Sequence, residues 1–278
     1  MTIYFRYFLL FLTSIIDRFK SKSAPFSIVL GQFVNFELND LFQLHNPRNG
    51  YFADPFIFEY DDKLYVLFEE FSFAKAKGVI ALGEIVKMEI VNVRVVLEEE
   101  FHLSFPFVFT HNGELFLIPE TASVGEVRLY RAKAGPSAWE FFGTLLSGAR
   151  FVDTVVFSNN NELVLLTTFD SSGRRRSQAE LHLFKSKDLN GPWLPSEKNP
   201  VLVDNRYGRN AGFLRIDERI YRCSQSFENY KYGMSLNIHE ILDTCKDQYL
   251  ESRPISIFKG RHHLSVLDSI FVSDLRIN

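Results

Sequence analysis

From Pro25 onward the chain alternates short apolar runs with polar turns, and it has no long stretch of helical periodicity. The segment that starts at Asp54, DPFIFEYDDKLYVLFEE, shows the pattern clearly. Two runs rich in aromatic and aliphatic residues flank the polar turn Asp61-Asp62-Lys63. Runs of this kind, separated by a tight polar turn, predict two strands joined as a β-hairpin.

The hairpin pattern recurs along the chain at intervals of about fifty residues. Without any gap, further copies begin at Phe105 (FPFVFTHNGELFLIPET), at Asp153 (DTVVFSNNNELVLLTTF) and at Asn210 (NAGFLRIDERIYRCSQS). A repeat of this length made of short strands is typical of propeller blades, each of which has four strands. An open solenoid of stacked hairpins is the alternative. Its case is weaker because the spacings are unequal and capping repeats are missing.

A fifth copy of the hairpin starts at Asp268 (DSIFV), but the chain ends at Asn278, before a full hairpin. The N-terminal run FSIVL, at residues 26–30, could complete the ring by pairing with this last copy. Such strand exchange closes a propeller and removes its exposed sheet edges. The sequence therefore predicts an all-β, five-bladed β-propeller over residues 25–278, preceded by a short helix within residues 1–24.

Residues 3–16 (IYFRYFLLFLTSII) are apolar apart from Arg6, and the basic stretch RFKSK follows at residues 18–22. This run is shorter than the roughly 20 residues that a membrane-spanning helix needs. A signal peptide would carry its basic residues before the apolar run. We therefore expect residues 3–22 to form a helix on an anionic membrane surface. A helix docked on the propeller or on a partner, and a signal peptide, are the alternatives.

Composition narrows the choice of partner and compartment. The 278 residues carry a formal net charge of −3, so no basic excess points to nucleic acid. The two cysteines, Cys223 and Cys245, make neither a zinc cluster nor a disulfide framework, which fits a cytoplasmic location, peripheral to the membrane. No phosphate-binding glycine loop, nucleophile elbow or metalloprotease motif occurs. The sequence assigns no metal and leaves the question of a divalent cation open.

Polar residues recur at matched positions of the repeats. The starting position is occupied by Asp54, Phe105, Asp153, Asn210 and Asp268, and the end of the second strand by Glu69, Glu120, Thr168 and Gln225. Because the first strand of each propeller blade lines the central channel, residues at its start converge on one mouth. A single Asp or Asn there is explained as a turn cap. A matched set where the repeats converge indicates a ligand site.

Carboxyl groups that lie close together suit glycosidic chemistry, in which one acts as a base and another donates a proton. Arg209, just before the fourth copy, could clamp a phosphate or carboxylate, or else lie in a surface loop. The His262-His263 pair could reach the channel mouth or be structural. The candidate catalytic residues are thus Asp54, Asp153 and Glu120. The candidate sugar-binding residues are Glu69, Arg209, Asn210, Gln225, His263 and Asp268.

Several segments resemble a known family: YFADPFIF (51–58), LSFPFVFTHNGELFLIPET (103–121), VDTVVF (152–157), NAGFLRIDERIYRCSQS (210–226) and YGMSLNIHEI (232–241). They are similar to the N-terminal domain of plant glucosamine inositolphosphorylceramide transferase and to its bacterial relatives. More distantly, the arrangement resembles the five-bladed propellers of glycoside hydrolase family 43. The hydrolase resemblance implies that Asp54, in ADPF, is a general base. It also implies that Asp153, in VDT, orients the general acid.

The general acid of that hydrolase family is a Glu of the fourth blade, where this chain has Asn210 and Gln225. Glu120 or Glu69 would have to supply the proton instead. A phosphate leaving group needs little protonation, so the sequence favours sugar transfer from an activated donor such as a nucleotide sugar. The expected setting is glycoconjugate or surface-polysaccharide biosynthesis at a membrane, with a sugar or glycan as substrate. Hydrolysis, and non-catalytic sugar binding beside a partner glycosyltransferase, are the alternatives.

Overall fold

The structure is a computed structural model of the chain, and it describes residues 25–159, 161–169, 179–228, 231–244 and 248–277. These residues form strands and one short 3-10 helix, Ala122–Val124. The strands are β1 Phe26–Val34, β2 Glu37–Gln43, β3 Gly50–Tyr60, β4 Lys63–Ser72, β5 Lys77–Val86, β6 Glu89–Leu97, β7 Ser104–His111, β8 Glu114–Glu120, β9 Glu126–Ala132, β10 Trp139–Ser147, β11 Phe151–Asn159, β12 Glu162–Phe169, β13 Glu180–Ser186, β14 Leu194–Pro195, β15 Leu202–Val203, β16 Arg209–Ile216, β17 Arg219–Glu228, β18 Lys231–Asp243, β19 Leu250–Glu251, β20 Ser256–Lys259, β21 Arg261–Leu267 and β22 Ile270–Arg276.

The strands form five antiparallel sheets, which are the blades of a propeller. In the first four blades the order from the channel outward follows the sequence: β3-β4-β5-β6, β7-β8-β9-β10, β11-β12-β13-β14 and β16-β17-β18-β19. Two short strands join from the side, β15 on β13 and β20 on β18. The innermost strands β3, β7, β11, β16 and β21 contact one another in a closed ring. The prediction of an all-β, five-bladed propeller is confirmed.

Strands from both ends of the chain build the fifth blade, in the order β21-β22-β1-β2 from the channel outward. β1 pairs antiparallel with β22, so that Phe26 lies opposite Arg276 and Gln32 opposite Ile270. The run FSIVL therefore closes the ring, as predicted. Closure leaves no unpaired edge on the two central strands of this blade, which would otherwise invite pairing with other chains.

The expectation that Asp268 begins the innermost strand of the fifth blade is wrong. Asp268 lies in the tight turn between β21 and β22, with a φ of 53°. Asp and Asn tolerate this left-handed conformation, so they recur in such turns as well as at strand starts. The inner strand begins seven residues earlier, at Arg261. Asp268 therefore lies at the end of β21 opposite the channel mouth, away from any ligand bound there.

A β-bulge marks the start of the innermost strand in each of the first three blades. Asp54, Phe105 and Asp153 occupy it with φ values of 52°, 43° and 53°. A bulge re-aims its side chains and is frequent beside functional sites. In the fourth blade the positive φ falls on Gly212, at 130°, where a Cβ would lie 1.9 Å from the carbonyl oxygen of Leu264. The backbone thus turns two residues later than Asn210 in this blade.

Aromatic rings fill the channel beneath this mouth. Phe56 of β3 packs edge-to-face against Phe107 of β7 at 5.7 Å between ring centroids. Phe213 of β16 contacts Phe107 at 6.2 Å and Phe157 of β11 at 5.2 Å. Burial of such large rings contributes strongly to stability. The high Phe content therefore serves the core, and it gives the mouth a closed apolar floor.

The helix expected within residues 1–24 lies outside the described residues. Within the described part of the chain, no helix has the length and apolar character needed to cross a bilayer. The description begins at Pro25, whose carbonyl oxygen accepts a hydrogen bond from the backbone N–H of Ile277 at 3.1 Å. The amide of Asn46 then donates to the carbonyl oxygen of Phe26 at 2.6 Å, which fixes this end of β1.

Candidate functional site at the channel mouth

Three carboxyl side chains from the first three blades meet at one end of the channel. Asp54 and Asp153 lie in the bulges that open β3 and β11, and Glu120 is the last residue of β8. The charges of Asp54 and Glu120 are each coupled electrostatically to Asp153 and to one another. The structure therefore brings together the three residues that the repeat pattern assigned to catalysis.

Arg209, at the start of β16, provides the positive charge of this group. Its Nε atom donates a hydrogen bond to Oδ2 of Asp153 at 2.5 Å. The carboxylate of Asp153 is buried, whereas 31% of the Arg209 side chain is exposed, so solvent reaches part of this side chain. Its charge also acts on Asp54 and Glu120. Arg209 was predicted from sequence, and the structure places it beside these three carboxyl side chains.

The environment of the mouth raises the pKa of two of its carboxyl groups. Burial raises the pKa of Glu120 to about 8; Asp153 adds to this effect and Arg209 opposes it. Burial also raises the pKa of Asp54 to about 7, although the neighbouring His262 opposes the rise. At neutral pH Glu120 is therefore mainly protonated, while Asp54 is divided between its two forms. A proton donor next to a group that can accept one is the arrangement that acid–base chemistry requires.

His262 links Asp54 to a second buried carboxylate, Asp274. Its Nδ1 atom lies 2.6 Å from Oδ2 of Asp274, and its Nε2 atom lies 3.4 Å from Oδ1 of Asp54. The backbone N–H of Asp54 also donates to Oδ2 of Asp274 at 3.1 Å. Burial opposes a charge on His262, but Asp274 and Asp54 outweigh it and raise its pKa. Burial likewise disfavours the charge on Asp274, but His262 outweighs it and lowers the pKa of that carboxyl.

Asp54, His262 and Asp274 are residues of the types that ligate metal ions. One potential ligand atom from each lies within 4.8 Å of the other two. Both imidazole nitrogens, however, already lie at ion-pair distance from a carboxylate. A cation would have to displace one of these contacts, since a ligating nitrogen must give up its proton. We therefore interpret the three residues as a chain of carboxylate, imidazolium and carboxylate.

Sequence reasoning named the His262-His263 pair but chose His263 as the sugar-binding residue, and it missed Asp274, because the fifth copy of the repeat was placed seven residues too late. The usable signal is the hairpin turn. Asp61 follows Asp54 by seven residues, and Asp217 follows Asn210 by seven. If Asp268 had been aligned with these turn residues, the inner strand would have begun seven residues earlier, at Arg261, next to the His262-His263 pair.

Asn210 and Gln225 lie in the wall behind the site. The amide of Asn210 is fully buried and donates to the carbonyl oxygen of Asp153 at 2.7 Å, while its Oδ1 accepts from Arg222 at 3.3 Å. The amide of Gln225 donates to the carbonyl oxygen of Asn210 at 3.0 Å. With these partners Asn210 is committed to holding Asp153 in place. The expectation that it contacts the sugar directly does not fit this geometry.

Arg222 organises this wall from a fully buried position. Its guanidinium donates to both carboxylate oxygens of Glu251, at 2.8 and 2.9 Å, and to the carbonyl oxygen of Tyr207 at 2.7 Å. Tyr207 and Asn210 bracket Arg209 in sequence, so the same side chain fixes both ends of the segment that presents Arg209. No sequence motif signalled this role, because a single Arg on a strand is ordinarily exposed.

Glu69 and His263 are buried close to the site. Oε1 of Glu69 lies 3.7 Å from Nε2 of His102. The ring of His263 packs edge-to-face on Phe56 at 4.5 Å and on Phe105 at 5.3 Å. Burial lowers the pKa of His263 to about 3, so its ring is neutral. The backbone N–H of His263 also donates to Oδ1 of Asp274 at 2.9 Å, so His263 contacts the carboxylate that binds His262.

Comparison with known proteins agrees with this architecture. Residues 39–263 match the family described as Glucosamine inositolphosphorylceramide transferase 1, N-terminal. The chain belongs to this family. The Arabidopsis thaliana protein named Glucosamine inositolphosphorylceramide transferase 1 is 30% identical over 221 residues, which are 77% of this chain. The 221 matched residues are 28% of the Arabidopsis protein, so members of the family can be much longer than the propeller.

Solved structures share the fold at low sequence identity. The Bacteroides ovatus protein GH43B, from a xyloglucan PUL, superposes with a TM-score of 0.56 and 14% identity, over 81% of this chain and 45% of that one. A family 117 glycoside hydrolase from Zobellia galactanivorans gives a TM-score of 0.57 and 11% identity, over 84% and 77% of the two chains. At these identities the likeness shows the fold alone. The resemblance to the transferase domain and to family 43 propellers is confirmed.

Proposed function

We propose that the channel mouth binds a sugar and takes part in glycosyl transfer during glycoconjugate or surface-polysaccharide biosynthesis. The observation that carries this proposal is the meeting of a protonated carboxyl, Glu120, with Asp54 and the Arg209–Asp153 pair at one mouth. Hydroxyl groups of a sugar both donate and accept hydrogen bonds. A set containing a carboxylic acid, carboxylates and a guanidinium is complementary to them.

The same residues suit the transfer step. An acceptor hydroxyl would lose its proton to ionised Asp54 as its oxygen bonds to the anomeric carbon of the donor. The bond from that carbon to the donor phosphate oxygen would break at the same time, and the phosphate would leave with the electron pair. The exposed part of Arg209 would stabilise the charge on that phosphate. Glu120 can donate the proton if the leaving oxygen needs one.

The names of the family and of its relatives support a role in transfer. The Arabidopsis protein is named a transferase, and this chain corresponds to 28% of it. A nucleotide-sugar donor, a partner glycosyltransferase and a site peripheral to the membrane are therefore parts of the proposal. In the non-catalytic form of the proposal, the propeller only binds the sugar for such a partner enzyme.

Hydrolysis is the second candidate, and the pKa of Glu120, raised to about 8, favours it. Glu120 would protonate the glycosidic oxygen as the bond to the sugar breaks, and Asp54 would take a proton from the attacking water. The missing fourth-blade Glu is thereby replaced by a second-blade residue. Glu120→Gln would then abolish hydrolysis, whereas transfer to a phosphate leaving group would lose less.

Thermal-shift titration tests the proposal. Two panels, UDP-hexoses and free mono- and oligosaccharides, are added to the full chain and to its Asp54→Asn variant. A ligand that binds the folded state raises Tm as its concentration exceeds Kd. We expect one panel to raise the Tm of the native chain and to lose this effect in Asp54→Asn. A rise of equal size in both proteins would remove the mouth as the binding site.

A further inference from the structure

A further set of matched side chains precedes the inner strands at the mouth, three residues before the start of each of the first four hairpin copies. The set consists of Tyr51, His102, Arg150 and Tyr207. Each of these side chains ends in a flat group that carries a polar atom, and each is at least partly exposed. A position used only for packing would accept aliphatic side chains as readily. The recurrence of flat, polar groups around one mouth therefore indicates contact with a ligand.

Two members of this set share an aromatic neighbour where the first and second blades meet. The ring of Tyr51 stacks on Phe71, with 5.0 Å between centroids and 18° between planes. His102, in the link from β6 to β7, meets the same ring edge-on at 6.0 Å. Phe73 adds a further ring, 6.0 Å from Tyr51. We call these four residues the Tyr51 platform; all of them except the buried Phe71 are partly exposed.

A buried carboxyl group connects this platform with the surroundings of Asp54. Glu69 pairs with Ala53, the residue before Asp54, in the ladder between β3 and β4. Its Oε1 atom lies 3.7 Å from Nε2 of His102. A sugar ring has C–H groups on its faces and hydroxyls at its edge, so it can stack on an aromatic ring while its hydroxyls bond to a carboxylate or an imidazole. The platform and Glu69 offer both kinds of contact.

We propose that the Tyr51 platform and Glu69 form a second sugar subsite, so that the ligand of the mouth is a glycan of at least two linked rings. This inference rests on the proposed sugar-binding function and adds the size of the ligand. Tyr51 precedes Asp54 by three residues on the same strand, which separates their Cα atoms by about 10 Å. A ligand that contacts both residues therefore extends beyond a single sugar ring.

Calorimetric titration of the full chain tests the second subsite. The probes are glucose, mannose, galactose and xylose, each compared with its trisaccharide: cellotriose, mannotriose, galactotriose and xylotriose. Tyr51→Leu removes the ring face but keeps an apolar side chain, and Tyr51→Phe keeps the ring. Tyr60→Leu is the matched control, because Tyr60 is also partly exposed and ends the same strand away from the mouth.

We expect at least one trisaccharide to bind the native chain about tenfold more tightly than its monosaccharide. Tyr51→Leu should lose this advantage and keep its affinity for the monosaccharide, whereas Tyr51→Phe and Tyr60→Leu should behave like the native chain. Equal affinity of the native chain for the two sugars would overturn the proposal. The same holds for an advantage that persists in Tyr51→Leu, or that is lost equally in Tyr60→Leu.

Saturation-transfer NMR on the native chain examines the same point without any substitution. Protons of two neighbouring rings of the bound trisaccharide should receive saturation. Saturation confined to one terminal ring would contradict a second subsite.

Asp54→Asn, titrated with the same probes, separates this inference from the proposed function. If it abolishes all sugar binding while Tyr51→Leu changes nothing, the function stands and the second subsite is excluded. If trisaccharides bind through Tyr51 and Asp54→Asn has no effect, the platform binds sugar and the proposed role of Asp54 fails. Absence of binding by every probe would contradict both.

Discussion

The guanidinium of Arg209 lies 2.5 Å from the carboxylate of Asp153 and joins the start of the fourth blade to the start of the third. Asp153 is buried, so the pair keeps a charge that would otherwise be costly inside the protein. The Arg209 side chain is 31% exposed, so solvent reaches part of it. The contact therefore links two neighbouring blades at the mouth of the candidate site.

Removal of this contact should destabilise the fold. Arg209→Met would leave Asp153 buried without its charged partner, at an expected cost of about 1–3 kcal/mol in the free energy of unfolding. Urea denaturation measures the change. Arg206→Met is the matched control, because Arg206 is exposed and pairs with Asp204 at 3.4 Å; we expect a change within about 0.5 kcal/mol. Equal effects of the two substitutions would contradict a structural role for the Arg209–Asp153 pair.

Asp274→Asn should lower the pKa of His262. Burial alone disfavours the imidazolium, and Asp274 is the strongest of the groups that offset burial. The substituted amide keeps the shape of the side chain but has no charge. Titration of the His262 ring by NMR gives the pKa directly. An unchanged pKa would mean that Asp274 does not hold the imidazolium in place.

Glu120 should make stability depend on pH in a specific direction. Its pKa is about 8 in the folded protein and 4.5 in a free side chain, so the folded state binds the proton more tightly. This contribution is fully present below pH 4.5 and is lost as pH rises through 8. Because Glu120→Gln is always neutral, we expect the variant to gain stability relative to the native chain as pH rises from 4.5 to 8. Parallel stability curves over this range would show that Glu120 is not shielded from water.

Arg222→Met should be among the most destabilising single changes in the wall of the site. Arg222 is fully buried and makes a two-point contact with Glu251, and the loss of one partner from a buried pair costs about 3–5 kcal/mol. Arg219→Met, three residues earlier on the same strand with 68% of its side chain exposed, is the control and should change little. Chemical denaturation of both variants compares them. A small effect of Arg222→Met would contradict the role of Arg222 in organising this wall.

The sequence predicted the fold well because a hairpin repeat carries both periodicity and turn chemistry. Asp54, Asp153 and Glu120 were found because matched repeat positions converge in a propeller. Asp268 was misplaced because a turn and a strand start prefer the same residue types. His262 and Asp274 depend on how β1 closes the last blade, and the contact of Arg222 with Glu251 spans two strands of one blade. Contacts of this kind leave no local pattern in the sequence.

The binding of sugar by Asp54 is the central claim, and one paired calorimetric measurement tests it most directly. Asp54→Asn and Asp61→Asn make the same change at two positions with similar φ, 52° and 49°, but Asp54 lies in the bulge of β3 at the mouth and Asp61 lies in the turn that follows β3. Each variant and the native chain are titrated with the UDP-hexose or oligosaccharide that raises Tm. The account predicts that Asp54→Asn keeps its fold and loses about 1–3 kcal/mol of binding free energy, whereas Asp61→Asn binds like the native chain. Unchanged affinity in Asp54→Asn, or an equal loss in both variants, would contradict it.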